Sequence, residues 1–276
     1  MNYEYLHLSE NINYLNDIAE GKSDFCKILN KAKKPLIIIG NSAINEDDGE
    51  EVLGTCAHIA KKYNIINKNF NGFNILQQDI SKVGALELGF FNNNFSKNFK
   101  AKLKNHIAKN NPLIFLLGSD EIDRSFFENS FVVYLGHHGD ESAQFADIIL
   151  PTPAYTEKSS TFINLEGRVL QTSRCFHPLN ESKEEWKIFR ALSNHFTTKL
   201  KFNNLSELRE EISNKYPFLN EINSIREISN VNFESYNEIK SRIIKYNIKN
   251  FYMTDSITRS SITMSNCSRE ILNEVA

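Results

Sequence analysis

The stretch from Glu157 to Arg168 carries two carboxylates, a lysine, an arginine, three hydroxyls and an amide: Glu157, Lys158, Ser159, Ser160, Thr161, Asn164, Glu166 and Arg168. Such a set supports two kinds of chemistry. Lys158 and Arg168 are the side-chain types that hold an anionic cofactor through charge-assisted hydrogen bonds. Glu157 and Glu166 are equally available to neutralise them within the same loop. Composition leaves the two readings level, and Gly167 permits close backbone approach in either case.

A second candidate is "GHHGDE", Gly136 to Glu141, where His137, His138, Asp140 and Glu141 are all metal-ligating types. It follows an apolar run, and the C-terminal ends of strands are the favoured ligand positions in open α/β sheets. Adjacent histidines in extended backbone point to opposite faces, so these two are not expected to share one ion. Hydrogen-bonded loop residues are the plainer expectation.

Other chemistries are excluded more directly. The turn "GNSAINEDDG" lacks GxGxxG, and Asp47 and Asp48 put negative charge where a pyrophosphate would sit. GxxxxGK[ST] does not occur, and "GNSAI" lacks the glycine spacing of a nucleophile elbow. Cys26, Cys56, Cys175 and Cys267 are scattered, with no CxxC and no histidine at ligand spacing. A zinc or iron-sulfur site within this chain is therefore not expected, and the four thiols read as reduced and structurally ordinary.

These loops need elements to position them. "PLIII" reads as a strand from Leu36 to Ile39, followed by a helix carrying Val52, Cys56, Ile59 and Tyr63 on one face, with Asp47 and Asp48 at its N-terminus. Further strands are expected at Leu113–Leu117, Phe131–Leu135 and Asp147–Leu150. The segment "NFNGFNILQQDISKVGALELGFFNNN" reads as a short helix flanked by irregular connections. Ser182 stands three before Glu185, a capping-box spacing, ahead of a helix with Trp186, Phe189 and Leu192 on one face. "LSELREEISNKYPFL" is a further amphipathic helix ended by Pro217. The fold class is therefore α/β, an open, mainly parallel sheet with helices on both faces, plus a helical and irregular C-terminal tail. The tail is too weakly periodic to fold alone and is expected to wrap against the body or a partner. The expected division is a lead-in at 1–32, an α/β domain at 33–200 and a wrapping segment at 201–276.

With 41% hydrophobic residues the chain can bury a substantial core. A net charge of −2 with 24% charged residues lacks the basic excess of a nucleic-acid binder. No run approaches the roughly 18 apolar residues of a membrane span, so direct membrane insertion is not expected. "MNYEYLHLSENINYLNDIAEG" has neither a signal core nor transit-peptide character. The richness in Asn, Lys and Ile is the bias of AT-rich coding sequence and points to an organelle or a reduced bacterial genome.

"ADIILP" followed by "YTEKSSTFINLEGRVLQT" resembles the late part of the molybdopterin oxidoreductase family. Together with "EEWKIFRALS", "FYMTDSITRSS", "DIAEGKSDFCKILNKAKKPLIIIGNSAINEDDG" and "VGALELGF", it is similar to the branch formed by the large iron-sulfur subunits of respiratory complex I. The resemblance covers nearly the whole chain. It implies the C-terminal half of such a subunit, made as a separate polypeptide, with no catalytic, cofactor-binding or metal-ligating residue of its own. Glu157, Lys158, Asn164, Glu166 and Arg168 would then form an internally bonded structural loop. The resemblance further implies iron-sulfur clusters in a partner N-terminal half and FMN in a neighbouring subunit. The chain would lie in the peripheral arm on the matrix face of the mitochondrial inner membrane, or on the cytoplasmic face of a bacterial one. Two other readings are a pterin- and molybdenum-binding oxidoreductase fragment and a free-standing small-molecule-binding α/β domain.

Overall fold

The structure is a computed structural model that describes residues 3–90, 99–120, 122–139, 141–225, 236–244 and 250–272. It forms two compact units: 1–90 with 162–169 and 223–247, and 91–161 with 170–222 and 248–276. These units cut across the expected division at residues 32 and 200. The chain leaves the first unit after residue 90 and returns to it twice.

The first unit opens with α1 (Tyr14–Glu20) and α2 (Phe25–Lys31), then β1 (Ile37–Ile39), α3 (Asn41–Ile44) and α4 (Gly49–Lys62). Glu50 and Glu51 in the first turn of α4, and Lys61 and Lys62 in its last, complement the helix dipole. Val52, Cys56, Ile59 and Ala60 form its buried stripe, and burial pushes the Cys56 thiol up to about 12. A small antiparallel ladder, β2 (Ile66–Asn67) with β3 (Phe70–Asn71), leads to β4 (Phe73–Ile75), which pairs in parallel with β1, Ile37 opposite Phe73. Helix α5 (Lys82–Glu87) follows. The segment read as irregular connections thus holds two short strands, β3 and β4. β4 owes its extended form to pairing with β1, because Gly72 and the interleaved asparagines give it little intrinsic strand preference.

In the second unit α6 (Phe99–Asn110) precedes β5 (Leu113–Leu117), β6 (Phe131–Gly136), α7 (Glu141–Phe145) and β7 (Ile148–Pro151). The three strands form a parallel sheet in the order β5-β6-β7. Val132 to Leu135 on the central strand are 1–5% exposed, the unbroken apolar run of a parallel strand covered on both faces. The chain then makes the hairpin β8 (Thr161–Ile163) and β9 (Val169–Gln171), whose residues 162–169 belong to the first unit, and continues in the second with α8 (Glu185–Leu192), α9 (Leu205–Lys215), α10 (Ser256–Arg259) and α11 (Ile262–Leu272).

One helix start differs from expectation, and another keeps its expected residue in a different use. Glu184, not Ser182, occupies the N-cap of α8, and the Ser182 hydroxyl donates back to the Leu179 carbonyl at 2.7 Å. Asp48 holds the N-cap of α4 without bonding its amides. Its carboxylate is instead taken by Arg242, whose Nε lies 2.9 and 2.8 Å from the two oxygens.

That ion pair belongs to a strap formed by residues 236–244 across the first unit. Ile239 is 2% exposed, and its backbone N–H and carbonyl both bond the Asn16 side chain. Tyr236 stacks on His58, and Ile243 bridges to Asn11. This part of the tail wraps against the body, as its weak periodicity suggested. The part at 226–235 lies outside the described residues. Among the described residues no helix is long and apolar enough to cross a membrane.

Candidate functional site

The turn after β7 begins the loop richest in chemical groups. A single helical turn at Tyr155–Glu157 brings the Glu157 carboxylate back to accept the Ala154 N–H at 3.1 Å. Lys158 leaves the loop and pairs with Glu185 at 2.5 Å, both side chains about a quarter exposed. The Ser159 hydroxyl accepts the Arg174 N–H at 3.1 Å, and the Ser160 N–H donates to the Thr172 hydroxyl at 3.0 Å. Thr161 is exposed on β8.

Asn164 organises the hairpin tip. Its side-chain oxygen accepts the backbone N–H groups of Glu166 and Arg168, each at 3.0 Å, an Asx-type turn. Gly167, at φ 81°, takes the left-handed conformation that the tight reversal requires and donates its N–H to the Asn164 carbonyl. Arg168 contacts Glu166 at 3.4 Å and donates to the Asn223 carbonyl. The two cations named as anion binders therefore both have protein partners. They also sit in different units, Lys158 in the second and Arg168 in the first.

The histidine segment behaves differently. β6 ends at Gly136, where any side chain would collide with the Tyr134 ring and hydroxyl. That hydroxyl donates to the buried Asp120 at 2.6 Å, fixing the strand end. Beyond it the backbone bends, and His137 and His138, expected to point apart, instead bring their Nδ1 atoms to 2.6 Å with the rings edge to face. A contact of that length needs one Nδ1 to donate and the other to accept, so at least one ring is neutral. His137 is exposed at its surface, yet the protein packed beside its ring, the neighbouring His138 and Lys158 together lower its pKa.

The two rings line a cavity of about 300 Å³ together with Thr152, Glu157, Asn180 and Ser182. Asp140 lies outside the described residues, and Glu141 is in the first turn of α7. Among the described residues no group of three or more His, Cys, Asp or Glu side chains is placed to hold a metal ion. The thiols of Cys26, Cys56, Cys175 and Cys267 are all free.

Sequence reasoning missed the buried Tyr134–Asp120 pair and the Glu184 cluster, where Trp186 Nε1 and Lys187 Nζ donate to one carboxylate at 3.0 and 2.8 Å.

The family model for the molybdopterin oxidoreductases matches residues 1–195. The chain belongs to that family. A second model, described as the C-terminal region of the NADH-ubiquinone oxidoreductase G subunit, matches residues 224–267. The chain is 39% identical to the NADH-ubiquinone oxidoreductase 75 kDa subunit of Reclinomonas americana, over 97% of its own length and 39% of that protein's. It is 34% identical to the NADH-quinone oxidoreductase G subunit of Rickettsia felis, over 99% of its length and 39% of the relative's. The corresponding Rickettsia bellii protein is also 34% identical, over 96% and 37%. The chain thus spans about two-fifths of the length of these relatives.

The family name raises the question of a pterin cofactor, whose phosphate groups need converging cationic or N–H donors. The cavity beside the histidines does not provide them. Glu157 and Glu181 line it, Lys158 is held by Glu185, and His137 is driven toward its neutral form. Among the described residues, the donor set of this cavity does not fit the group.

Proposed function

We propose that this chain forms part of the large subunit of a complex I-type NADH:quinone oxidoreductase and serves there as a non-catalytic scaffold of the peripheral arm. The observation that carries the reading is the 39% identity to a 75 kDa subunit along 97% of the chain. The match at residues 224–267 to the C-terminal region of the G subunit supports the same reading at the other end. A scaffold needs polar loops that rigidify the fold. Glu157, Lys158, Asn164 and Arg168 of that loop each bond protein atoms, which is consistent with that use.

In this reading the iron-sulfur clusters reside in the remainder of the large subunit and FMN in a neighbouring subunit. The chain's contribution is positional, because electron transfer between clusters depends on a rigid, densely packed frame. Its partners are the iron-sulfur portion of the large subunit and the flavin-bearing and other peripheral-arm subunits. Its location is the matrix face of the mitochondrial inner membrane, with the cytoplasmic face of a bacterial membrane as the equivalent place.

The test is affinity purification through a tag on this chain in mild detergent, with mass spectrometry and elemental analysis of what co-purifies. Recovery of iron-sulfur, flavin and membrane-arm subunits in fixed ratio, without stoichiometric molybdenum or tungsten, is the expected result. A chain recovered alone as a monodisperse monomer would overturn the assembly, and stoichiometric molybdenum would overturn the pterin-free scaffold.

A further inference from the structure

The parallel pair β1-β4 stops short of a stable sheet. Two strands are too few to stand alone, and parallel sheets are ordinarily enclosed. On β1, Ile37 donates its N–H to the Gly72 carbonyl at 2.7 Å, and the Ile39 carbonyl accepts from Leu76 at 2.9 Å. Residues alternate along a strand in the neighbour they bond, so Ile38 directs its N–H and carbonyl to the edge away from β4. Among the described residues no strand pairs with β1 along that edge.

That edge opens into an apolar groove of about 340 Å³. Ile37, Ile38, Ile39 and Gly40 all line it. Successive side chains of a strand point to opposite faces. A groove touched by four residues in a row therefore reaches the backbone edge as well as the face on which Ile12, Val52 and Cys56 pack. Leu8 and Ile244 also line it, while Ile38 and Leu36 remain 59% and 61% exposed. An unpaired edge set in an apolar trough is the recognition surface of strand addition: the main chain supplies affinity, and alternate side chains fill the trough.

We propose that the groove receives one parallel β-strand, an apolar segment of about three or four residues at about 3.3 Å each, from the portion of the large subunit that this chain does not span. The assignment rests on the subunit reading above. It commits to that occupant because the relatives carry sequence well beyond the 39% of their length that aligns here. A parallel orientation continues the β1-β4 pairing.

The experiment compares the tagged chain purified alone with the same chain recovered in its assembly, following amide exchange over residues 36–40, and repeats the recovery with Ile38→Pro and Ile38→Lys. Proline removes the edge N–H where an edge strand tolerates it, and lysine keeps the N–H while charging the trough. Expected are slowed exchange at Ile38 only in the assembly and a loss of about tenfold or more in recovery for both variants, through one lost hydrogen bond for proline and through a charge set in an apolar trough for lysine. Both isolated variants should keep the wild-type circular dichroism spectrum. If Ile38→Pro alone unfolds, the lysine variant and the exchange of the wild-type chain decide. Wild-type assembly with unprotected Ile38, or with both variants recovered in full, overturns the strand addition and leaves the subunit reading standing. Concentration-dependent protection in the isolated chain identifies a second copy as the occupant and overturns it too. If no subunit of the enzyme co-purifies with the wild-type chain, the subunit reading fails and this inference falls with it.

Discussion

The two parallel sheets of this chain solve one problem by different means. In the second unit β6 is flanked on both sides by neighbours close in sequence, and its residues from Val132 to Leu135 are almost wholly buried. In the first unit β1 has one partner among the described residues, and the helices around it are held by a strap that arrives some 190 residues later in the chain, Arg242 on Asp48. The difference teaches where each sheet's stability resides. One holds it in a continuous apolar strand, the other in an apolar core of helices that a strap of long sequence separation completes with Ile239 and locks with Arg242.

The comparison breaks most readily at the sealed strand. Leu135→Ala removes a side chain that is 1% exposed and should cost about 2–5 kcal/mol through lost burial and a residual cavity. Urea unfolding followed by the fluorescence of Trp186, which lies in the same unit, measures it. A cost below about 1 kcal/mol would mean that β6 is not the closed centre of its sheet.

A smaller loss should come from the strap. Arg242→Ala leaves the Asp48 carboxylate, 19% exposed, without its cationic partner. Hydrogen bonds to charged groups contribute about 1.5–3 kcal/mol, so hydrogen exchange in α1 and α4 should accelerate by the corresponding factor. Exchange unchanged in those helices would show the strap to be an ornament on a sheet stable without it.

The same contrast explains what could be read from the sequence. β5, β6 and α4 were legible because a continuous apolar run and a helical stripe are local patterns that burial merely confirms. β4 was not, since "FNI" behind Gly72 acquires strand geometry only beside β1. Nor was the Arg242–Asp48 pair, because nothing near Arg242 distinguishes it from a solvated cation. At the site, the loop's internal bonding was anticipated for Glu166 and Arg168. The partner of Lys158 was found outside the loop at Glu185, and the approach of His137 and His138 was hidden by the assumption that the strand continues past Gly136.

A third effect, about 1 kcal/mol, concerns the Glu184 carboxylate. Burial works against its charge, but hydrogen bonds from Lys187 and Trp186, with the positive charges of Lys187 and Arg174, outweigh that and hold its pKa below the ordinary glutamate value. A depressed carboxylate binds its proton more readily when unfolded. Its contribution is therefore fully present above the unfolded value of about 4.3 and disappears as pH falls through the lower folded value. Glu184→Gln should flatten the acid limb of the stability curve in that window and leave the curve near neutrality lowered but parallel. An acid limb identical in the two proteins would remove Glu184 from the account.

The smallest effect belongs to the hairpin tip, and its smallness is informative. Glu166 meets Arg168 at 3.4 Å with side chains 59% and 32% exposed, a geometry in which solvent screening leaves a pair close to 0–0.5 kcal/mol, on the order of other surface pairs. Glu166→Gln should thus shift the unfolding midpoint within error, because the turn is held by Asn164, which accepts two backbone N–H groups, and by Gly167. Asn164→Ala in the same background provides the contrast, stranding both amides while leaving every charge in place. If the charge substitution proved the more damaging of the two, electrostatics rather than turn geometry would be holding the loop. Its arginine would then have to be reconsidered as a group kept in readiness for an anion.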